Sequence, residues 1–275
     1  MRVCVCVCAC ACVCVCLCVE LCVRWRVRVI LCVCTQDMPR FLVAGATVET
    51  FRSVPRALED LVKVLSSTSE TSQMHAAVAL QHYVRAYEAG KTEVGGAGGI
   101  AALAPLLRSR VMGVHREACE ALRVIVSQNE GNAVLAFNAS CVPALVGLLE
   151  SRTPAVRESA AGALHNLMWT KCENSRHCAD AAEAAGAVNK LGVALSKAVV
   201  EDDDESDKLA RTVIATLGAI AVHGSSGPRA LADGGAVSHL LSALPSKNED
   251  VAKGAAETLH CVAAGDSACA ARGMQ

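Results

Sequence analysis

Three groups of residues in this chain have the types and spacings that chemistry uses. His115-x-Glu117 reproduces the first half of a zinc deaminase signature, in which the histidine ligates metal and the glutamate shuttles a proton. No Pro-Cys-x-x-Cys follows it, and the segment falls at the start of a helical apolar pattern. Cys172, His177 and Cys178 could supply three zinc ligands, but no fourth stands at a suitable spacing, and an irregular turn is the plainer reading. Gly95-Gly96-Ala97-Gly98-Gly99 is rich enough in glycine to cradle a phosphate. A phosphate loop needs a strand before it and Lys-Ser/Thr after it; neither is present, which leaves a flexible loop between helices. The chain is therefore expected to catalyse nothing and to need no cofactor and no metal.

The 17 cysteines form two populations. Cys119, Cys141, Cys172, Cys178, Cys261 and Cys269 are scattered among helical apolar patterns, where they read as small buried hydrophobes or free thiols and imply a reducing compartment. The rest lie in residues 1–34, a low-complexity tract that alternates Val and Cys. A GT dinucleotide repeat encodes Val-Cys, so a translated microsatellite without selected function is one reading of the tract. A membrane segment is the rival: Val3 to Val19 is uninterrupted apolar sequence at the short limit for a spanning helix, followed by Glu20 and then Arg24, Arg26 and Arg28. An alternating strand would be apolar on both faces and prone to aggregate, and a thiolate cluster would need polar spacers where this tract has mostly Val. No small-x-small cleavage site follows to suggest a signal peptide, and Arg2 excludes myristoylation. Residues 35–55, with Pro39, Gly45 and Pro55, read as a linker.

Whatever positions functional side chains must be built in residues 56–275. Only 3% of the chain is aromatic while 53% is apolar, so its core is made of Ala, Val and Leu, which suits close-packed helices. A net charge of −1 lacks the basic excess that phosphate binding favours, so nucleic acid is not an expected partner. An apolar pattern at i, i+3, i+6 and i+7, first seen as Leu58, Leu61, Val64 and Leu65, recurs from Ile100, Val142, Val188 and Val237, at periods of 42, 42, 46 and 49 residues. A second pattern, Ala76, Ala79, Leu80 and Tyr83, recurs from Ala118, Ala160, Val213 and Ala255, and its small residues let helices approach closely. Thr153 before Pro154, and Asn248 before Glu249 and Asp250, stand where N-caps of the second helix belong. Gly99, Gly186 and Gly235 precede the first pattern, where a sharp turn needs a residue free at positive φ. Each repeat then has a short lead helix, a middle helix and a long last helix.

Residues Asn138 to Met168, NASCVPALVGLLESRTPAVRESAAGALHNLM, resemble an armadillo repeat nearly throughout, and Gly234 to Gly265 resembles one closely. The resemblance covers about Pro55 to Gln275. It implies an all-α fold, a right-handed α-solenoid of about five armadillo-type repeats, whose last helices line a concave groove for extended peptides or partner helices. In armadillo proteins that bind import cargo or cadherin tails, an Asn on the last helix clamps the ligand backbone, often with a Trp one turn earlier. Asn166 matches that Asn; the equivalent places elsewhere hold His82, Val124, Ala219 and Cys261, and Gly162 stands where the Trp would be. The ladder is incomplete, which speaks against recognition of basic import signals. Glu120 and Glu257 fall on the same face with Arg123, His165 and His260 beside them, which favours a mixed or mildly basic partner.

The acidic run Glu201 to Asp207 reads as a solvated loop lengthening the fourth repeat. Ala268 to Met274 resembles the lead helix and turn of a sixth repeat; its absent remainder would expose the apolar side of the fifth around Leu240 and Leu244 and invite self-association. The expected role is a cytoplasmic protein-binding scaffold. The alternative is a membrane-tethered adaptor, with any membrane contact confined to residues 3–19.

Overall fold

The computed structural model describes residues 56–169, 173–201 and 203–265, together with a two-residue antiparallel pairing of Val15–Cys16 with Cys32–Val33. The remainder of the proposed membrane segment, the 35–55 linker, Cys172, Cys269 and the start of a sixth repeat lie outside the described residues.

Both apolar patterns are helical. The first repeat contributes α1 (Ala57–Leu65) and α2 (Glu70–Ala86). The second has α3 (Gly90–Gly96), α4 (Gly99–Leu103, followed by a 3-10 turn at Leu106–Arg108) and α5 (Met112–Val126). The third has α6 (Glu130–Asn138), α7 (Cys141–Leu148) and α8 (Pro154–Met168). The fourth has α9 (Glu173–Ala184), α10 (Ala187–Glu201) and α11 (Asp204–His223), and the fifth α12 (Gly227–Asp233), α13 (Ala236–Ala243) and α14 (Glu249–Ala264). The last helices α2, α5, α8, α11 and α14 pack side by side in chain order, each also holding its own repeat's middle helix. The result is an all-α solenoid with one continuous core.

Burial follows position in the stack. In the second repeat Ile100, Leu103, Leu106 and Leu107 are all buried, as are Val188, Leu191, Ala194 and Leu195 in the fourth. In the first repeat only Leu65 of its set is fully covered, and in the fifth Leu244 is exposed. An inner repeat is covered from both sides, an outer one from one side. At about 1.5–3 kcal/mol per fully buried Leu or Val, this coverage is the main favourable term.

The turn into each middle helix is the same in all five repeats. Arg56, Gly98, Ser140, Gly186 and Gly235 have φ of 63°, 80°, 56°, 77° and 76°, each two residues before the first apolar position. Gly98 therefore serves the second repeat, not Gly99, which lies in the first turn of α4. Gly95 and Gly96 likewise close α3 rather than forming a loop.

A second device, built on a serine, recurs at the turn into the last helix of every repeat but the fourth. Ser109, Ser151 and Ser246 accept, through Oγ, the N–H of the residue two places on, at 3.2, 3.3 and 3.2 Å. The carbonyls of Ser67, Ser109 and Ser151 are in turn met by Gln73 at 2.6 Å, His115 Nδ1 at 3.1 Å and Arg157 at 3.0 Å, three different side chains at one place of the repeat. Ser69, Asp203 and Asn248 cap their helices by accepting backbone N–H groups. Thr153 occupies the N-cap of α8 with Pro154 behind it, but its side chain makes no capping bond.

The acidic run is not a loop. Glu201 ends α10, Asp203 caps α11, and Asp204, Glu205 and Asp207 fill the first turn of α11, where carboxylates oppose the positive helix end. The added length of the fourth repeat goes into its helices: α10 and α11 have 15 and 20 residues, where α7 and α8 have 8 and 15.

Candidate functional site

On each last helix one stripe, at i, i+4, i+7 or i+8, and i+11, faces away from the middle helices. It runs through Arg116, Glu120, Arg123 and Ser127 on α5 and through Glu158, Gly162, His165, Asn166 and Trp169 around α8. Side chains reach from each stripe to the next. Glu120 accepts two hydrogen bonds from Arg123 at 2.7 Å, one from the Ser159 hydroxyl at 2.9 Å, and one from Arg85 on α2. Glu117 takes Arg116 at 2.6 Å and Gln81 at 3.1 Å, while Glu158 pairs with Lys208 at 3.3 Å and Arg211 with Asp250 at 3.4 Å.

The charges are layered in this ladder. The side chains of Glu117, Glu120 and Glu158 are only 14, 18 and 11% exposed, whereas those of their partners Arg116, Arg85 and Lys208 are 52, 47 and 57% exposed. At these three acids the carboxylate lies beneath and the cation on top, whereas in the Arg211–Asp250 pair the carboxylate is the more exposed partner, 71 against 46%. Burial pushes the Glu120 carboxyl up, but Arg123, Ser159 and Arg85 outweigh it and hold the group below the ordinary carboxylate range. The Arg123 guanidinium is raised in return, chiefly by its hydrogen bond to Glu120.

Asn166 sits where the sequence places it, and its amide is partly engaged: Nδ2 donates to the Arg123 carbonyl at 2.9 Å, tying α8 to α5. A Cβ at Gly162 would come within 2.8 Å of Arg123 Cδ, so the arginine stem from the preceding repeat fills the place of a large aromatic. The aromatic appears one turn later instead. Trp169 is 62% exposed and its ring lies 5.2 Å from that of His165. Burial lowers the His165 pKa and His223 lowers it further, against an opposing hydrogen bond that the imidazole makes to Asn166.

Of the residues singled out from sequence, Glu120, Arg123, His165 and Asn166 are brought together, with Arg123 bridging Glu120 and Asn166. His82 is half-buried on α2, while Glu257 and His260 are exposed on α14, two repeats from Asn166. The expectation of a mixed or mildly basic partner rested on both acids facing outward. Glu120 does not; it is covered by two arginines. Sequence reasoning missed Arg85, Arg116, Trp169, Lys208 and Arg211, although most lie one or two turns along the same stripe. The groups weighed for chemistry have other occupations: His115 braces the Ser109 carbonyl, and exposed His177 has its ring 6.0 Å from that of Phe137.

A family model of the Armadillo/beta-catenin-like repeat matches residues 129–169, the segment that forms α6, α7 and α8. Catenin delta-2 from Homo sapiens is 37% identical over 113 residues, 40% of this chain, and the match spans 9% of that relative's length. The crystal structure of an engineered protein superposes with a TM-score of 0.70 at 27% identity, covering 84% of this chain and 90% of that one. A designed armadillo repeat protein in complex with the peptide (KR)4 superposes with a TM-score of 0.68 at 23% identity, covering 83% and 91%.

Proposed function

We propose, from the premise that this chain is an armadillo-repeat solenoid, that its inner face takes an extended protein segment and that the segment is acidic. The observation that carries the reading is the layering of charge. With Glu117, Glu120 and Glu158 beneath and Arg85, Arg116 and Lys208 above, an approaching chain meets guanidinium and ammonium groups first. Such a surface steers a carboxylate-rich segment inward and repels a basic one. Trp169, exposed beside His165 and Asn166, offers the apolar anchor around which binding energy concentrates. Asn166 Nδ2, which gives one hydrogen to the Arg123 carbonyl, has a second with which to meet a ligand backbone.

The relatives and solved structures support the coarser statement, a protein-binding scaffold, and its assignment to the cytoplasm rests on the free thiols. Among the described residues no single helix is long and apolar enough to cross a membrane. Fluorescence anisotropy with labelled (Asp-Glu)4 and (Lys-Arg)4 peptides tests the charge preference. The acidic peptide binds at least tenfold more tightly, and Arg116→Glu with Lys208→Glu removes that preference. Equal affinity for the two peptides refutes the reading.

A further inference from the structure

At the N-cap of α8 a residue able to cap leaves its helix uncapped, whereas Val111, at the same place in the second repeat, has no polar group to offer. The equivalent residues Ser69, Asp203 and Asn248 accept backbone N–H groups of their helices, at 3.3, 2.8 and 3.0 Å. Thr153 does not, and its hydroxyl is turned toward the sulfur of exposed Met112 at 3.6 Å. Thr153 is extended, with φ −89° and ψ 118°, and is followed by Pro154, which supplies no N–H. That is the backbone a proline-directed kinase accepts.

Beneath this turn lies an anomaly. Arg157 is only 4% exposed, and Nη1 is bound to the Ser151 and Arg152 carbonyls at 3.0 and 3.3 Å, the two residues before Thr153. Its Nε has no partner, and no carboxylate pairs with it among the described residues. Bracing this carbonyl does not require a charge, since Gln73 and His115 do it in the first two repeats. A buried guanidinium without a counter-charge is costly. Asp203, at the same place in the next repeat, shows that this position accepts an anion against the helix start.

We propose that Thr153 is a phosphorylation site and that Arg157 with the first turn of α8 holds the phosphothreonine. Transfer forms the bond from Thr153 Oγ1 to the γ-phosphorus of a nucleoside triphosphate as the bond from that phosphorus to the β-bridging oxygen breaks. The nucleoside diphosphate leaves and the hydroxyl proton passes to the kinase base. The new dianion meets the Ala155 N–H, since those of Val156 and Arg157 are bound to the Thr153 carbonyl, and the Arg157 guanidinium, the setting in which phosphate orders a helix terminus.

The test treats the folded chain, and a peptide of residues 147–157, with a proline-directed kinase, locates the product by mass spectrometry, and follows the phosphorus resonance against pH. In the folded chain the second ionisation falls by roughly 0.5–1 pH unit from the free value of about 6. Arg157→Gln, which keeps the brace as Gln73 does, returns it toward the peptide value, and Arg157→Lys retains the shift. Modification of the peptide but not of folded Thr153 overturns the proposal. So does a resonance that titrates alike in chain, peptide and Arg157→Gln. Millimolar inorganic phosphate leaves the amide resonance of Ala155 in the unmodified chain unmoved; saturable binding of the free anion there would mark a phosphate site instead and overturn the assignment to Thr153.

Discussion

Replacing Glu120 by Gln keeps the shape of the side chain and removes the charge that joins three helices. Two of its hydrogen bonds come from Arg123 and one from Ser159, all at half-buried sites, while the Arg85 head is nearly half exposed. Hydrogen bonds to an ionised partner contribute about 1.5–3 kcal/mol against about 1 for neutral ones, so the two Arg123 bonds together lose about 1–2 kcal/mol. The Arg85 contact, screened by solvent, adds less than about 0.5 kcal/mol. Glu120→Gln should therefore lower the unfolding free energy by about 2 kcal/mol, and Glu120→Lys, which sets a third cation beside Arg85 and Arg123, by more. Urea denaturation at pH 7 measures both. The folded Glu120 pKa lies below its unfolded value, so the stabilisation is present above about 4.3 and fades as pH falls through the folded value. At pH 3 the gap between wild type and Glu120→Gln should be markedly smaller. A variant within about 0.5 kcal/mol of wild type at pH 7, or a gap of equal size at both pH values, refutes the account of this network.

Three further outcomes follow from other parts of the solenoid. Ser140 holds φ 56° without glycine's freedom, so Ser140→Gly should stabilise by about 0.5–1 kcal/mol, whereas Gly186→Ala, with open space around its Cβ, should destabilise by about 1–2 kcal/mol through the backbone alone; thermal melts of the pair decide. Burial holds the folded pKa values of His75, His165 and His223 below 6.5, so unfolded chains take up protons first and stability should drop as pH falls below 6.5; a flat melting temperature between pH 7.5 and 5.5 would contradict this. Cys119 and Cys141 are buried, and burial pushes both thiols up, Cys141 to about 12, so iodoacetamide at pH 8 should label them only after unfolding, as peptide mapping would show.

The repeats were legible because two apolar patterns recur in phase, and the helices that carry them keep most of those residues inside, with Leu244 exposed. The turns were legible only to within a residue. Glycine was read as the turn signal beside Gly98 and Gly99, yet position in the repeat decides, and Ser140 and Arg56 adopt the same conformation without it. The acidic run misled for a related reason: carboxylates that look like a solvated loop are equally suited to a helix start. In the candidate site, membership of the stripe was readable from spacing, whereas the layering of acid beneath base was not. That layering depends on reaches between repeats, such as Arg85 to Glu120 and Ser159 to Glu120, which link positions 35 and 39 residues apart.

Tension applied at residues 56 and 265 would load this molecule as springs in series, each junction between neighbouring last helices bearing the whole force while their extensions add. The junctions are pinned unequally. Gln81 to the Glu117 carbonyl joins α2 and α5, Asn166 to the Arg123 carbonyl joins α5 and α8, and Thr216 to the Ala161 carbonyl joins α8 and α11, each a side chain hooked on a neighbour's backbone. Sliding one helix past the next by a single residue, about 1.5 Å, detaches such a hook. Between α11 and α14 the contacts at the start of α14 join side chain to side chain, Asn248 to Asp207 and Arg211 to Asp250, the latter largely in solvent. Their longer arms tolerate more travel before letting go, so the fifth repeat is the compliant end of the spring and the first four form its stiff body.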